Sequence, residues 1–176
     1  MRQATCREVA RDNVRPTWTE CRVTSDRYRI SDVSAELDMD QVFRWLSHES
    51  YWARGRSRDV IDRSFAASYP VGIYAADRQV AVARIVSDGA TFAWLCDVFV
   101  DAGHRGHGLG KRLAQWAVDW ADDNGVGRIV LATADAHGVY ASVGFVPFEN
   151  PQRWMEIDRR PQRHDVAQIE QESARR

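Results

Sequence analysis

The chain has 176 residues, of which 44% are hydrophobic and 28% charged, with a formal net charge of −1. That length supports one substantial core and little more, so a single globular domain is expected. The balanced charge excludes a whole-molecule attraction to nucleic acid or to an anionic membrane, and partners have to be sought at local sites.

The three cysteines, Cys6, Cys21 and Cys96, form an odd set without the CxxC spacing of a zinc site, which fits a reduced, cytoplasmic protein. The start carries no basic segment leading into an apolar core. The longest apolar run, "FAWLCDVFV" at 92–100, is far short of a membrane span and is interrupted by Asp97. Residues 1–25 mix charge with few large aliphatics and read as an N-terminal extension. Residues 157–176 read as a polar tail, which leaves 26–156 as the folded domain.

Within that domain, "YRIS" is a short strand. "DMDQVFRWLSHE" follows with Val42, Phe43 and Leu46 at helical spacing and Asp38 or Asp40 as cap. "SRDVIDRSFAASY" repeats the pattern, with Ser57 as cap and Val60, Ile61 and Phe65 as the apolar face. The β-rich runs "VGIYAA", "VAVARIVS" and "TFAWLCDVFV", separated by the turns "ADRQ" and "SDGA", predict an antiparallel meander. Leu109, Leu113, Trp116, Ala117 and Trp120 line one face of a helix that "DNGVG" ends. "RIVLAT" is a strand buried on both faces, "DAHGVYASV" a short helix capped by Asp135, and "GFVPF" a last strand. The order β-αα-βββ-α-β-α-β gives an α/β fold with a mixed central sheet flanked by helices.

Between the long third strand of the meander and the strongest helix lies "HRGHGLGKR", at 104–112. Gly106, Gly108 and Gly110 strip side chains from successive positions and leave backbone N–H groups open at a helix N-terminus, which is an anion site. Arg105 and Lys111 add positive charge, and no carboxylate intervenes after Asp101, so phosphate is the natural guest. A Walker A loop would need Gly at Arg105 and Ser or Thr at Arg112, and the dinucleotide fingerprint would need Gly at Lys111 or Leu113. Neither pattern is met.

"VDAGHRGHGLGKRL" resembles the acetyl-coenzyme A loop of the GNAT superfamily of N-acetyltransferases, whose pattern R/Q-x-x-G-x-G/A is matched by Arg105, Gly108 and Gly110. "HGVYASVGF" resembles a second signature, with Tyr140 four residues before Gly144-Phe145. The two motifs in order span about residues 28–150 together with their strands and helices. The resemblance implies a GNAT-like fold, acetyl-coenzyme A as cosubstrate and direct transfer to a primary amine of a small molecule or peptide in a ternary complex. It implies a pyrophosphate cradled by backbone amides of Arg105, Gly106, His107, Gly108, Leu109, Gly110 and Lys111, and a pantetheine arm added like a strand to Val98 and Val100. A homodimer is common among such proteins. Non-catalytic acyl-coenzyme A binding and a plain interaction module are the rival classes.

Tyr140 is the candidate general acid, since a phenol holds its proton at neutral pH and can pass it to a thiolate. Asp97, alone among apolar neighbours on its strand, is the candidate base, although it could equally pair with Arg84; His137 is a second candidate. The segment "SHESYWARGRS" supplies Tyr51, Trp52, Arg54 and Arg56, and the meander supplies Trp94, as candidates to line the acceptor site for an amine bearing an anionic group. Whether these close the core instead is open. His104 and His107 have no third ligand spaced nearby, so no metal is expected. Cys96, flanked by apolar residues, reads as a packed thiol. Against the family pattern, Ala102 replaces a frequent Pro, and Thr133–His137 replace a segment that often holds an Asn.

Overall fold

The computed structural model describes residues 27–159. The N-terminal extension, Cys6, Cys21 and nearly all of the polar tail lie outside the described residues. The chain divides into two compact units between Val146 and Pro147. Among its described residues the second unit contains a short 3-10 turn, Pro151–Arg153, and a stacked pair, Phe148 and Trp154, with ring centroids 4.3 Å apart.

The first unit carries a five-stranded sheet in sequential order. Its strands are β1 (Tyr28–Ser31), β2 (Tyr69–Ala75), β3 (Arg78–Ser87), β4 (Ala93–Val100) and β5 (Ile129–Val130). The first four are antiparallel and β5 joins β4 in parallel, so the sheet is mixed, as the element order predicts. Helices α1 (Met39–Arg44) and α2 (Arg58–Ala66) follow β1, α3 (Leu109–Asp123) follows β4 and α4 (His137–Ala141) follows β5. No helix among the described residues is long and apolar enough to cross a membrane.

Local chemistry sets the helix starts. Asp38 accepts from Gln41 N at 2.9 Å and Ser57 from Val60 N at 3.4 Å, each satisfying an orphan donor of a first turn. α1 passes directly into a wider π-type turn, Trp45–Glu49, which buries Trp45 and Leu46. Val60 does not share the apolar face of α2. It is 40% exposed, while Ile61 and Phe65 alone turn inward.

β2 and β3 are buried almost continuously because helices cover both sheet faces. On one side α3 packs Leu113, Trp116 and Ala117 against Val71, Ile73 and Ile85. On the other, Val42, Leu46, Ile61 and Phe65 enclose Val82 and Phe99. Gly125, with φ +67°, ends the long helix as its sequence signal predicts.

Two strand expectations need correction. Of "RIVLAT" only Ile129 and Val130 pair with β4, and "GFVPF" forms no strand. A two-residue β5 offers almost no ladder for a further neighbour, and Pro147 lacks the donor a ladder position requires.

Gly72 is required by close approach. A Cβ there would lie 2.7 Å from Tyr74 Oη and 2.9 Å from two ring carbons, and the ring is held from outside by the Arg29 guanidinium at 4.5 Å. Gly72→Ala is expected to lower unfolding free energy by about 1–3 kcal/mol through overpacking, read as a lower urea midpoint; an unchanged midpoint would show that Tyr74 yields freely.

Candidate functional site

The site begins with a fault in β4. Val82 pairs with Phe99 and Arg84 with Cys96, so Ala83 alone faces both Asp97 and Val98, which makes a β-bulge. Asp97 adopts φ +51°, a left-handed conformation that Asp tolerates better than most residues. On its other side β4 pairs with β5 only at Ala93 and Trp94. From Leu95 onward, no described strand pairs with that edge, and Val98 and Val100 lie along it. An unpaired edge of this kind accepts an extended, amide-bearing chain as an added strand.

The glycine loop continues from the end of that edge. Asp101 Oδ1 accepts from Gly103 N at 2.9 Å and fixes the first bend. Gly106 and Gly108 then take φ +77° and +74°, and nothing lies within 4 Å of where their Cβ atoms would be. Left-handed glycines of this kind bend the backbone tightly and leave its amides uncovered by side chains. Leu109, 2% exposed, anchors the start of α3, and the first-turn N–H groups of Leu109, Gly110 and Lys111 have no acceptor within their helix. The histidines brace this loop. Tyr28 Oη lies 3.0 Å from His104 Nδ1, the His104 and His107 rings meet Tyr28 edge-on, and Arg112 donates to the Tyr28 carbonyl at 3.1 Å. Arg105 folds over Phe99 and donates to the Val100 carbonyl at 3.2 Å, so its guanidinium steadies the strand end. Among the described residues no group of His, Cys, Asp or Glu is arranged to hold a metal ion.

On the opposite face, four side chains from three elements converge. Asp97 Oδ1 accepts from Trp52 Nε1 at 3.2 Å, and Oδ2 accepts from Arg56 at 2.9 Å and Arg84 Nε at 2.7 Å. The Asp97 side chain is 3% exposed, Arg84 12% and Arg56 26%. The segment bringing Trp52 and Arg56 there is held by Ser50, whose Oγ donates to the Leu46 carbonyl and accepts from Ala53 N, and by Gly55 N donating to the Ser47 carbonyl. Arg54 is exposed on the same turn. Trp94, 47% exposed, lies upstream on β4 across from exposed Val86.

Tyr51 reaches the other way. Its hydroxyl donates to Asp135 Oδ1 at 3.5 Å and accepts from Ala134 N at 3.4 Å, while its ring meets Trp52 edge-on at 5.0 Å. Asp135 therefore does not cap α4. The residue before that helix is Ala136, whose N–H is satisfied by Thr133 Oγ1 at 3.1 Å. Tyr140 rises from α4 and packs edge-on against Phe145 at 6.0 Å, joining two residues of one motif. Burial pushes its phenol up to about 12, with Tyr51 and Asp135 adding to the effect. Burial likewise raises the Cys96 thiol to about 11, which keeps it in the unreactive thiol form at neutral pH. His137 is exposed at the start of α4.

The model of the acetyltransferase (GNAT) family matches residues 39–145. This chain belongs to the GNAT acetyltransferase family. It is 40% identical to a GNAT-family protein from Xanthomonas campestris pv. campestris, with a TM-score of 0.71 over 76% of this chain and 94% of that one. A protein from Clostridium acetobutylicum solved with acetyl-CoA shares the fold, with TM-score 0.56, 17% identity, and 74% and 94% of the two chains covered. So does a glucosamine-6-phosphate N-acetyltransferase from Arabidopsis thaliana, with TM-score 0.54, 14% identity, and 76% and 98% covered. No curated protein matches this chain. The mixed sheet and flanking helices are thus those of a GNAT acetyltransferase, a family whose acetyl donor is acetyl-CoA.

Removing the Asp97 carboxylate strands two largely buried guanidiniums. Asp97→Ala is expected to cost about 3–5 kcal/mol, while Arg56→Gln, which leaves Asp97 paired with Arg84, costs less; urea denaturation of both variants tests the order. Equal, small losses would mean that solvent replaces the carboxylate.

Proposed function

We propose that the protein is an acetyl-CoA-dependent N-acetyltransferase that moves an acetyl group directly to a primary amine, without an acetyl-enzyme. The observation that carries this reading is the continuity between the unpaired β4 edge at Val98 and Val100 and the left-handed glycine turn that follows it. The fit to the donor rests on those features. Open space at Gly106 and Gly108 admits a phosphate to the amides of residues 105–111, and the edge beyond Trp94, which no described strand pairs, admits an amide-bearing arm. Bound there, acetyl-CoA supplies the acetyl thioester.

Tyr140 serves as the general acid. A phenol raised to about 12 keeps its proton through the neutral range and can give it to a departing thiolate, which has a lower pKa. The ammonium form of the acceptor must first lose one proton, the attacking nitrogen loses a second as the amide forms, and one of these is accounted for on the released thiol. A net proton goes to solvent. Asp97 is better suited to positioning than to accepting a proton, because its oxygens already face an indole and two guanidiniums. It holds Trp52 and Arg56, with Tyr51 beside them, as the wall of the acceptor site. Cys96 as a thiol gives no reason to invoke a covalent step.

Mass-spectrometric detection of acetylated amines, beside Tyr140→Phe, tests the reading. The variant should lose about 10²-fold or more in kcat with its acetyl-CoA affinity unchanged. Because the acid form is the active one, this group should cause no alkaline loss of kcat until pH approaches 12. Acetyl-CoA binding without any acetylated amine would instead favour a non-catalytic binding module.

A further inference from the structure

The residues around Tyr51 and Trp52 form two poles of opposite charge. On one side Asp97 carries a single negative charge against two guanidiniums, Arg56 and Arg84, a formal excess of one positive charge in a largely buried cluster. One oxygen, Oδ2, serves both arginines. Arg84 is the deeper of the two and also points a nitrogen at the Ser64 carbonyl, 3.5 Å away; Arg56 is the more exposed and carries five N–H donors in a planar fork. On the other side Asp135 is an exposed carboxylate held by the Tyr51 hydroxyl at 3.5 Å, next to the helix that carries Tyr140. The edge-on Tyr51–Trp52 pair stands between the poles, one ring bonded to each carboxylate.

Resting on the transferase reading, we infer that the acceptor is an amine that also carries an anionic group, its ammonium end docked at Asp135 and its anion at Arg56. An uncompensated positive charge in a poorly solvated place favours an anionic visitor, and a guanidinium fork suits carboxylate or phosphate. A negative carboxylate beside the proposed acid suits the ammonium that must become the nucleophile. A simple alkylamine satisfies only one pole. A diamine would bring a second cation to the pole that already has an excess of positive charge. The protein therefore selects against polyamines by repulsion as well as for zwitterions by attraction.

The experiment uses the full chain with saturating acetyl-CoA and matched probes. These are β-alanine, 4-aminobutyrate, 6-aminohexanoate and 2-aminoethyl phosphate, against propylamine, butylamine, hexylamine and 1,4-diaminobutane. At least one anionic amine should exceed its neutral counterpart by about tenfold or more in kcat/KM, mostly through KM, and the diamine should rank last. Preference for a carboxylate or for the phosphate tells which anion the site fits. Arg56→Gln should erase the preference, bringing kcat/KM for the anionic amines down to that of their neutral counterparts, and Arg56→Lys should restore part of it. Asp135→Asn should raise KM for every amine by about tenfold with acetyl-CoA affinity unchanged. Melting temperatures and acetyl-CoA binding of each variant confirm that it is folded. Equal turnover of charged and neutral partners, or a preference that survives Arg56→Gln, overturns the inference and leaves the transferase reading intact. Acetyl-CoA binding with no turnover of any amine overturns the transferase reading itself, and the inference with it.

Discussion

Asp97 sits in β4 in a left-handed conformation, and its carboxylate is held there by an indole and two guanidiniums from two other places in the chain, the segment after α1 and β3. The backbone distortion and the buried charge would each be unfavourable alone. Together they stabilise one arrangement, because the bulge turns the side chain toward the donors and the donors hold the bulge. Everything on the two faces of β4 is arranged around that residue.

On the edge of the sheet, the bulge at Asp97 and Val98 lies a few residues beyond Trp94, where β4 parts from β5. Four strands pair antiparallel along most of their lengths, whereas the parallel pair lasts only two residues. The strand end that would otherwise be closed by a neighbour is left without a paired strand, and it runs directly into the glycine loop. Tyr28 from β1 and Arg112 from α3 fix that loop from behind, so its amides are positioned by packed aromatic and polar contacts while its ligand side stays bare.

On the opposite face the same carboxylate draws the segment after α1 over the sheet. Ser50, Ala53 and Gly55 knot that segment into a fixed turn, and the turn delivers Trp52 and Arg56 to Asp97 while Tyr51 reaches Asp135. A short loop thereby connects the middle of β4 with the start of α4, two parts of the chain that the sheet keeps apart.

The residues by themselves determined a good deal. Alternation and helical spacing placed β2, β3, β4 and the face of α3 correctly, since those patterns follow from burial on known sides of regular elements. The cap at Ser57, the cap at Asp38 as one of two candidates with Asp40, and the stop at Gly125 were equally legible, because each depends on contacts within a few residues. What only the tertiary structure decided lies at longer range. Val60 faces outward because its helix is rotated by its neighbours, and "GFVPF" stays unpaired because β5 is too short to receive it. Asp135 looks like a cap in sequence, and no local signal links it to Tyr51, which lies 84 residues earlier. The partnership of Asp97 with Trp52, Arg56 and Arg84 was equally invisible as a set. A one-dimensional pattern reports which side of an element is buried; which charges meet across elements depends on strand register and helix rotation, and those are settled only when the whole core packs.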